Sequence, residues 1–256
     1  MFDIFIKRKK IVVDCFTTNI DAHDTFPIMP ASKFFPNWWK RLPNAFPVET
    51  DSGVQIENRT MKSCSGLINH YKNGFILPLW SDLVVQTQAD GLGNSYSFQY
   101  ADGHSNIGVH PLDQMGKEFN SLVHVKLTSP WRIREKSGIN FIYMEPTWSQ
   151  PADLLNMSTP PGTIEYKYQH TSSVNMFLEK GRRYNFTAGR PMAHLIPLTE
   201  KEVEIKCHLV SPLEYDNDIR RVMHHGFPFF TDAYMQVKKR KKELEKDKAQ
   251  CPFRKK

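Results

Sequence analysis

The stretch Pro161–Pro197, PGTIEYKYQHTSSVNMFLEKGRRYNFTAGRPMAHLIP, decides the fold. It reads as short strands and a turn, closed by a Gly-Arg-Pro corner at 189–191 and a strand that ends in Ile-Pro. Apolar and polar residues alternate along these pieces, the period of two that a half-buried strand requires. Gly189 permits the tight corner, and Met192, Leu195 and Ile196 can then face a core.

The same pattern extends outward on both sides. NSYSFQYAD alternates Tyr96, Phe98 and Tyr100 with polar residues, and GFILPLWSDLVVQTQ reads as a strand kinked at Pro78. SLVHVKLTS, INFIYMEP, TIEYKYQ, SVNMFLEKG, YNFTAG, MAHLIPL and VEIKCHLVS follow at spacings of roughly ten residues. Short strands separated by Gly, Pro, Asn and Asp turns predict a mainly β fold, a jelly roll or β-sandwich, for residues 61–210. Helices do not alternate with these strands, which excludes a doubly wound α/β sheet.

Two different zones flank this body. Residues 1–60 hold one strand, KIVVDCFTTN, and a Pro- and aromatic-rich arm, PIMPASKFFPNWWKRLPNAFP. Pro30, Pro36, Pro43 and Pro47 forbid a long helix there, although Phe34 to Leu42 can make one helical piece. Trp38 and Trp39 are expected to anchor the arm on the body. Residues 211–256 read as a helical basic tail. DNDIRRVMHHG forms a short helix, and TDAYMQVKKRKKELEKDKAQ a second one whose thin apolar stripe lets it project or lie lightly on the body.

The charge is unevenly placed. The whole chain has a formal charge of +7, and residues 238–256 alone carry ten basic and three acidic residues. The body is therefore neutral, and an isoelectric point of about 9.1 is no sign of a nucleic-acid-binding domain. Lys238, Lys239, Arg240, Lys241 and Lys242 are the candidate polyanion-binding run, or a solvated helix face. No window nears the ~18 apolar residues of a membrane span. MFDIFIKRKKIVVDCF places its basic run after its apolar one, the wrong order for a signal peptide. Four scattered cysteines, with no C-x-x-C pair, suit free thiols in a reducing cytoplasm.

Chemical motifs are sparse. The sequence has no phosphate-binding glycine loop, no G-x-S-x-G elbow and no H-E-x-x-H. His104, His110 and His194 invite a metal, but His110 and Asp113 have the wrong spacing for one strand face, so no metal and no cofactor are expected. His224-His225 fits a cation at a helix end. Cys64 would need a histidine such as His70 to act as a nucleophile, and it reads instead as a small buried apolar residue. Arg132, Arg134, Arg182 and Arg183 could hold an anion or form a solvated face.

Two resemblances rest on these residues. Gly162–Tyr168, Val174–Leu178 and Ala188–Pro197 resemble the closing half of a dUTPase-type jelly roll, with its G-V-I-D-x-D-Y strand and G-D-R-I-A-Q-L turn-strand. The resemblance places the substrate-discriminating Asp of that family at Glu165 and its second Asp at Lys167, a reversal of charge. Tyr168 is retained, and the Ser-bearing phosphate motif corresponds to Arg134–Gly138. Arg134, Glu165 and Tyr168 are thus the candidate ligand-binding residues. Over residues 30–210, the order CSGLINHYKNGFILPLWSDLVV, VKLTSPWRIREKSGINFIYMEP, GTIEY, TAGRPMAHLIP is similar to an uncharacterised domain family of tailed phages and bacteria. Together these imply a phage-encoded interaction protein with no catalytic residues, acting in the infected host's cytoplasm or in the virion. Its partners would be phage or host proteins, and nucleic acid or an acidic surface through the tail. The alternative is a divergent nucleotide hydrolase or a small-molecule-binding jelly-roll enzyme.

Overall fold

A computed structural model describes residues 10–89, 96–103, 105, 107–110, 112–149, 157–223, 235, 238–243, 245 and 246. The chain is mainly β. One main sheet runs in the order Met157–Ser158, Thr171–Glu179, Leu122–Glu135, Ile11–Thr17, Val203–Leu209, with Ile107–Gly108 also paired to Leu122–Glu135. The other runs Gly162–Ile164, Phe141–Met144, Pro191–Pro197, Phe75–Pro78, Met29–Pro30. Their inner faces share one hydrophobic core, in which Val13, Val125, Trp131 and Met176 meet Leu77, Phe141 and Leu195. A three-stranded sheet, Arg183–Phe186, Leu83–Thr87 and Tyr96–Tyr100, adds Tyr184, Phe186, Leu83 and Val85 to that core. The arrangement is a β-sandwich.

Strand Leu122–Glu135 organises one half of it. Val123, Val125, Leu127, Trp131 and Ile133 alternate into the core, while Lys126, Arg132 and Arg134 stay half-buried on the opposite face. SLVHVKLTS, read as one short strand, continues through Pro130 to Glu135 and makes a strand of 14 residues. Proline lacks the N–H of a ladder bond, and the strand itself accommodates it at a register shift, where residues 129–131 stand opposite Ser172 alone.

The division at residue 60 does not follow the sheets. Ile11–Thr17 lies inside the first sheet, antiparallel to Leu122–Glu135 and parallel to Val203–Leu209. Its alternating burial gives the reason, since Val13, Cys15 and Thr17 are fully buried. The arm after it is anchored as expected. Trp39 stacks on Phe35 at 4.4 Å and donates to the Met61 carbonyl, and Trp38 donates to the carbonyl of Trp148. Helix Ser65–Lys72 covers the second sheet through Leu67 and Tyr71, which pack on Ile76 and Ala31. Ala45–Glu49 and Gln55–Arg59 form a hairpin of their own, which the sequence did not suggest.

The Gly-Arg-Pro corner is formed as read. Gly189 has φ +79°, and a Cβ there would stand 3.0 Å from the Phe26 ring, so only glycine fits. Met192 and Leu195 enter the core, and a second register shift, between Pro191 and Ala193, lets both do so. Ile196 is half-buried. By contrast, TIEYKYQ is a strand only over Gly162–Ile164. Beyond it the chain turns, with the N–H groups of Tyr168 and Gln169 both donating to the Glu165 carbonyl. No helix among the described residues is long and apolar enough to cross a membrane.

Candidate functional site

The residues nominated from the sequence gather around the turn Glu165–His170 and the end of strand Leu122–Glu135. Glu165 is buried and its carboxylate accepts from Lys238 Nζ at 2.6 Å. Tyr168 is buried, with the ammonium groups of Lys167, Lys238 and Lys241 5.5–5.6 Å from its ring centre. Lys241 also donates to the Lys167 carbonyl, and Lys167 pairs with Glu245 at 3.1 Å. The described tail residues 238–243, 245 and 246 are helical, and this helix is seated on the turn rather than projecting. Burial lowers the affinity of Lys241 for its proton.

The candidate polyanion-binding run is thereby divided. Lys238 and Lys241, three apart and so on one helix face, are committed to the body. Lys239, Arg240 and Lys242 are exposed on the other side.

Arg134 belongs to a neighbouring cluster. Its guanidinium faces Asp218 at 3.6 Å and lies over the Phe16 ring at 4.7 Å. Asp218 is on helix Pro212–Met223 and also bonds His170 Nδ1 at 2.8 Å. Burial alone would raise the Asp218 acid; the hydrogen bond and charge of His170, with Arg134, more than offset this and hold it below the ordinary carboxylate range. Phe16, Arg134, Tyr215 and Asp218 border a cavity of about 250 Å³. Arg134 and Glu165 thus enter separate ion pairs, with Asp218 and with Lys238, while Tyr168 is covered by lysines.

The segment matched to a phosphate motif has its own occupant. The buried carboxylate of Glu135 accepts from the backbone N–H groups of Ser137, Gly138 (2.6 Å) and Ile139 (3.1 Å). Successive amides curled around an oxyanion form an anion nest, and here the anion is the chain's own. Gly138, at φ +80°, brings this nest beside Glu165 and Lys167, each within 3.3 Å of where its Cβ would be. The sequence did not single out Glu135, whose place at the end of a buried face was the available signal.

The other candidates are dispersed. His70 Nε2 meets His194 Nδ1 at 3.1 Å, and His194 Nε2 bonds the Asn73 carbonyl at 2.7 Å. His70 is therefore engaged away from Cys64, which packs against the cluster under helix Ser65–Lys72. Arg182 pairs with Glu179 and Arg183 with Asn185, remote in sequence from Arg132 and Arg134. Cys15, Cys64 and Cys207 are free thiols. No group of three or more potential metal ligands occurs among the described residues. His104, His224, His225, Cys251 and the tail beyond residue 246 lie outside the described residues. No protein-family model matches the chain, and no curated protein matches it.

Proposed function

We propose that the chain is a non-catalytic interaction protein, a jelly-roll-type β-sandwich of phage origin that binds neighbouring proteins in the virion or in the infected cell. The phage origin is supported by the sequence resemblance of residues 30–210. The observation that carries the interaction role is the hairpin Ala45–Glu49/Gln55–Arg59. Val48 pairs with Ile56 and Phe46 with Asn58, so Phe46, Val48 and Ile56 share one face. Phe46 and Ile56 are 45% and 49% exposed. Clustered apolar side chains on an exposed element mark a surface that another protein covers.

The self-filled nest at Glu135 and the lysines over Tyr168 support a scaffold role for the turn rather than nucleotide chemistry. Quantitative mass spectrometry of particles of the encoding phage tests the virion version: the chain is expected in wild-type particles and depleted from those carrying Phe46→Ser with Ile56→Ser. Its absence from wild-type particles would remove that version. A thermal-shift series with deoxynucleoside triphosphates, with and without magnesium, tests the whole reading. Stabilisation that disappears in Glu165→Ala would replace it with nucleotide hydrolysis.

A further inference from the structure

Two cysteines far apart in the chain are neighbours in the first sheet. Strand Ile11–Thr17 runs parallel to Val203–Leu209, and in that register Cys15 stands directly opposite Cys207. Opposed residues of paired strands project from the same face, and here that face is the inner one. Cys15 belongs to the hydrophobic core and is fully buried, and Cys207 packs against that core together with Val203 and Ile205. The Cys207 Sγ reaches the Ile28 carbonyl oxygen at 3.7 Å, which also places it inside. Both thiols are free.

The spacing is that of a disulfide. Neighbouring strands lie about 4.8 Å apart, and the Cα atoms of a disulfide stand roughly 4.4–6.8 Å apart. The two side chains already meet, the Cys15 thiol being hydrogen-bonded to the Cys207 sulfur. Val203–Leu209 ends the sheet on its side, so it can take up the small movement that an S–S bond requires. Cys64 has a different setting, in the aromatic cluster under helix Ser65–Lys72.

The two sulfurs are unequal, and the inequality sets an order of events. Cys207 is only partly buried, while Cys15 is sealed from solvent. The hydrogen bond from Cys15 favours the Cys207 thiolate, and His23 adds to this; together they outweigh burial and lower its affinity for the proton. Burial, with the bond to Cys207, pushes the Cys15 thiol up. A reachable sulfur that ionises readily beside a buried, protonated one is the arrangement of an attacking and a resolving thiol.

We propose that Cys207 and Cys15 form a peroxide-reactive thiol pair, in which a hydroperoxide oxidises Cys207 and Cys15 then closes a disulfide across the two strands. The Cys207 thiolate attacks one peroxide oxygen, the O–O bond breaks, and the other oxygen leaves as water or an alcohol after taking up a proton. Cys207 becomes a sulfenic acid, oxidised as the peroxide is reduced. The Cys15 sulfur then gives up its proton and attacks it; the S–O bond breaks, water leaves, and the S–S bond forms. The product ties positions about 190 residues apart and fastens the strand Ile11–Thr17 to the sheet edge. The inference goes beyond the interaction role and stands independently of it.

The test uses the full chain, freed of reductant, treated with a small molar excess of hydrogen peroxide, alkylated, digested and read by mass spectrometry. A peptide pair joining the Cys15 and Cys207 segments is expected, with Cys64 recovered alkylated, and dithiothreitol should return both thiols. The oxidised chain should melt about 5–10 °C higher. In Cys15→Ala the sulfenic acid has no thiol beside it, and dimedone labelling at Cys207 should rise about tenfold or more over wild type. In Cys207→Ala, Cys15 should stay reduced. Should Cys15→Ala fail to fold, the wild-type cross-link and Cys207→Ala decide. The proposal is overturned if wild type forms no Cys15–Cys207 cross-link, or if Cys64 is cross-linked to either of them as readily. Equally fast oxidation of Cys15 in Cys207→Ala, or a folded Cys15→Ala that gains no dimedone label, would overturn it too.

Discussion

At the scale of single residues, two buried groups govern stability. Glu135 closes the turn after the longest strand by satisfying three amides at once. Glu135→Gln keeps the shape but gives up the charge, and is expected to cost about 1.5–3 kcal/mol in urea denaturation. His194 is fully buried between His70 and the Asn73 carbonyl, and burial pushes it down to about 4. In the unfolded chain its imidazole takes a proton near pH ~6.5. Above that value neither state is protonated and the contribution is complete. As pH falls from there toward 4, the unfolded chain binds more protons and the fold loses stability. Between pH 7 and 5, His194 alone should remove about 2 kcal/mol. His124 acts in the same direction, so the difference in slope between wild type and His194→Asn isolates His194.

At the scale of elements, the docked helix is the informative case. Lys238 and Lys241 hold it on the turn through a partly buried ion pair, a carbonyl and the Tyr168 ring. Truncation after residue 237 should leave a folded body with a melting temperature lower by about 2–4 °C, and hydrogen exchange at residues 165–168 should accelerate. An aggregating or unfolded truncation would make the helix part of the core structure. The strands Thr171–Glu179 and Pro191–Pro197 were legible because each has one buried face. TIEYKYQ has the same alternation yet turns at Glu165, because Tyr166 and Tyr168 can both be buried from a tight turn as well as from a strand. The hairpin at 45–59 was hidden by its lack of a buried face, the signal that periodicity detects.

At the scale of the whole molecule, elements differ sharply in how much depends on them. The hairpin leaves and re-enters the body at one point, where the Thr60 N–H bonds the Asn44 carbonyl at 3.0 Å. Replacing residues 45–59 by two glycines should therefore shift the melting temperature by only a few degrees, about 2–4 °C, while abolishing the partner contact proposed for Phe46 and Ile56. Deleting Ile11–Thr17 should have the opposite outcome. It would unpair Leu122–Glu135 and Val203–Leu209 together, and the product is expected to be insoluble on expression.

The seating of Ile11–Thr17 between those two strands also sets a timetable for the growing chain. The partner on one side of this apolar strand, Val203–Leu209, is made about 190 residues after it. At roughly 5–20 residues per second, the earlier strand waits on the order of ten to forty seconds before its sheet can close. Through that interval it exposes a sticky edge, and a chaperone able to shield a short extended segment would be most useful then.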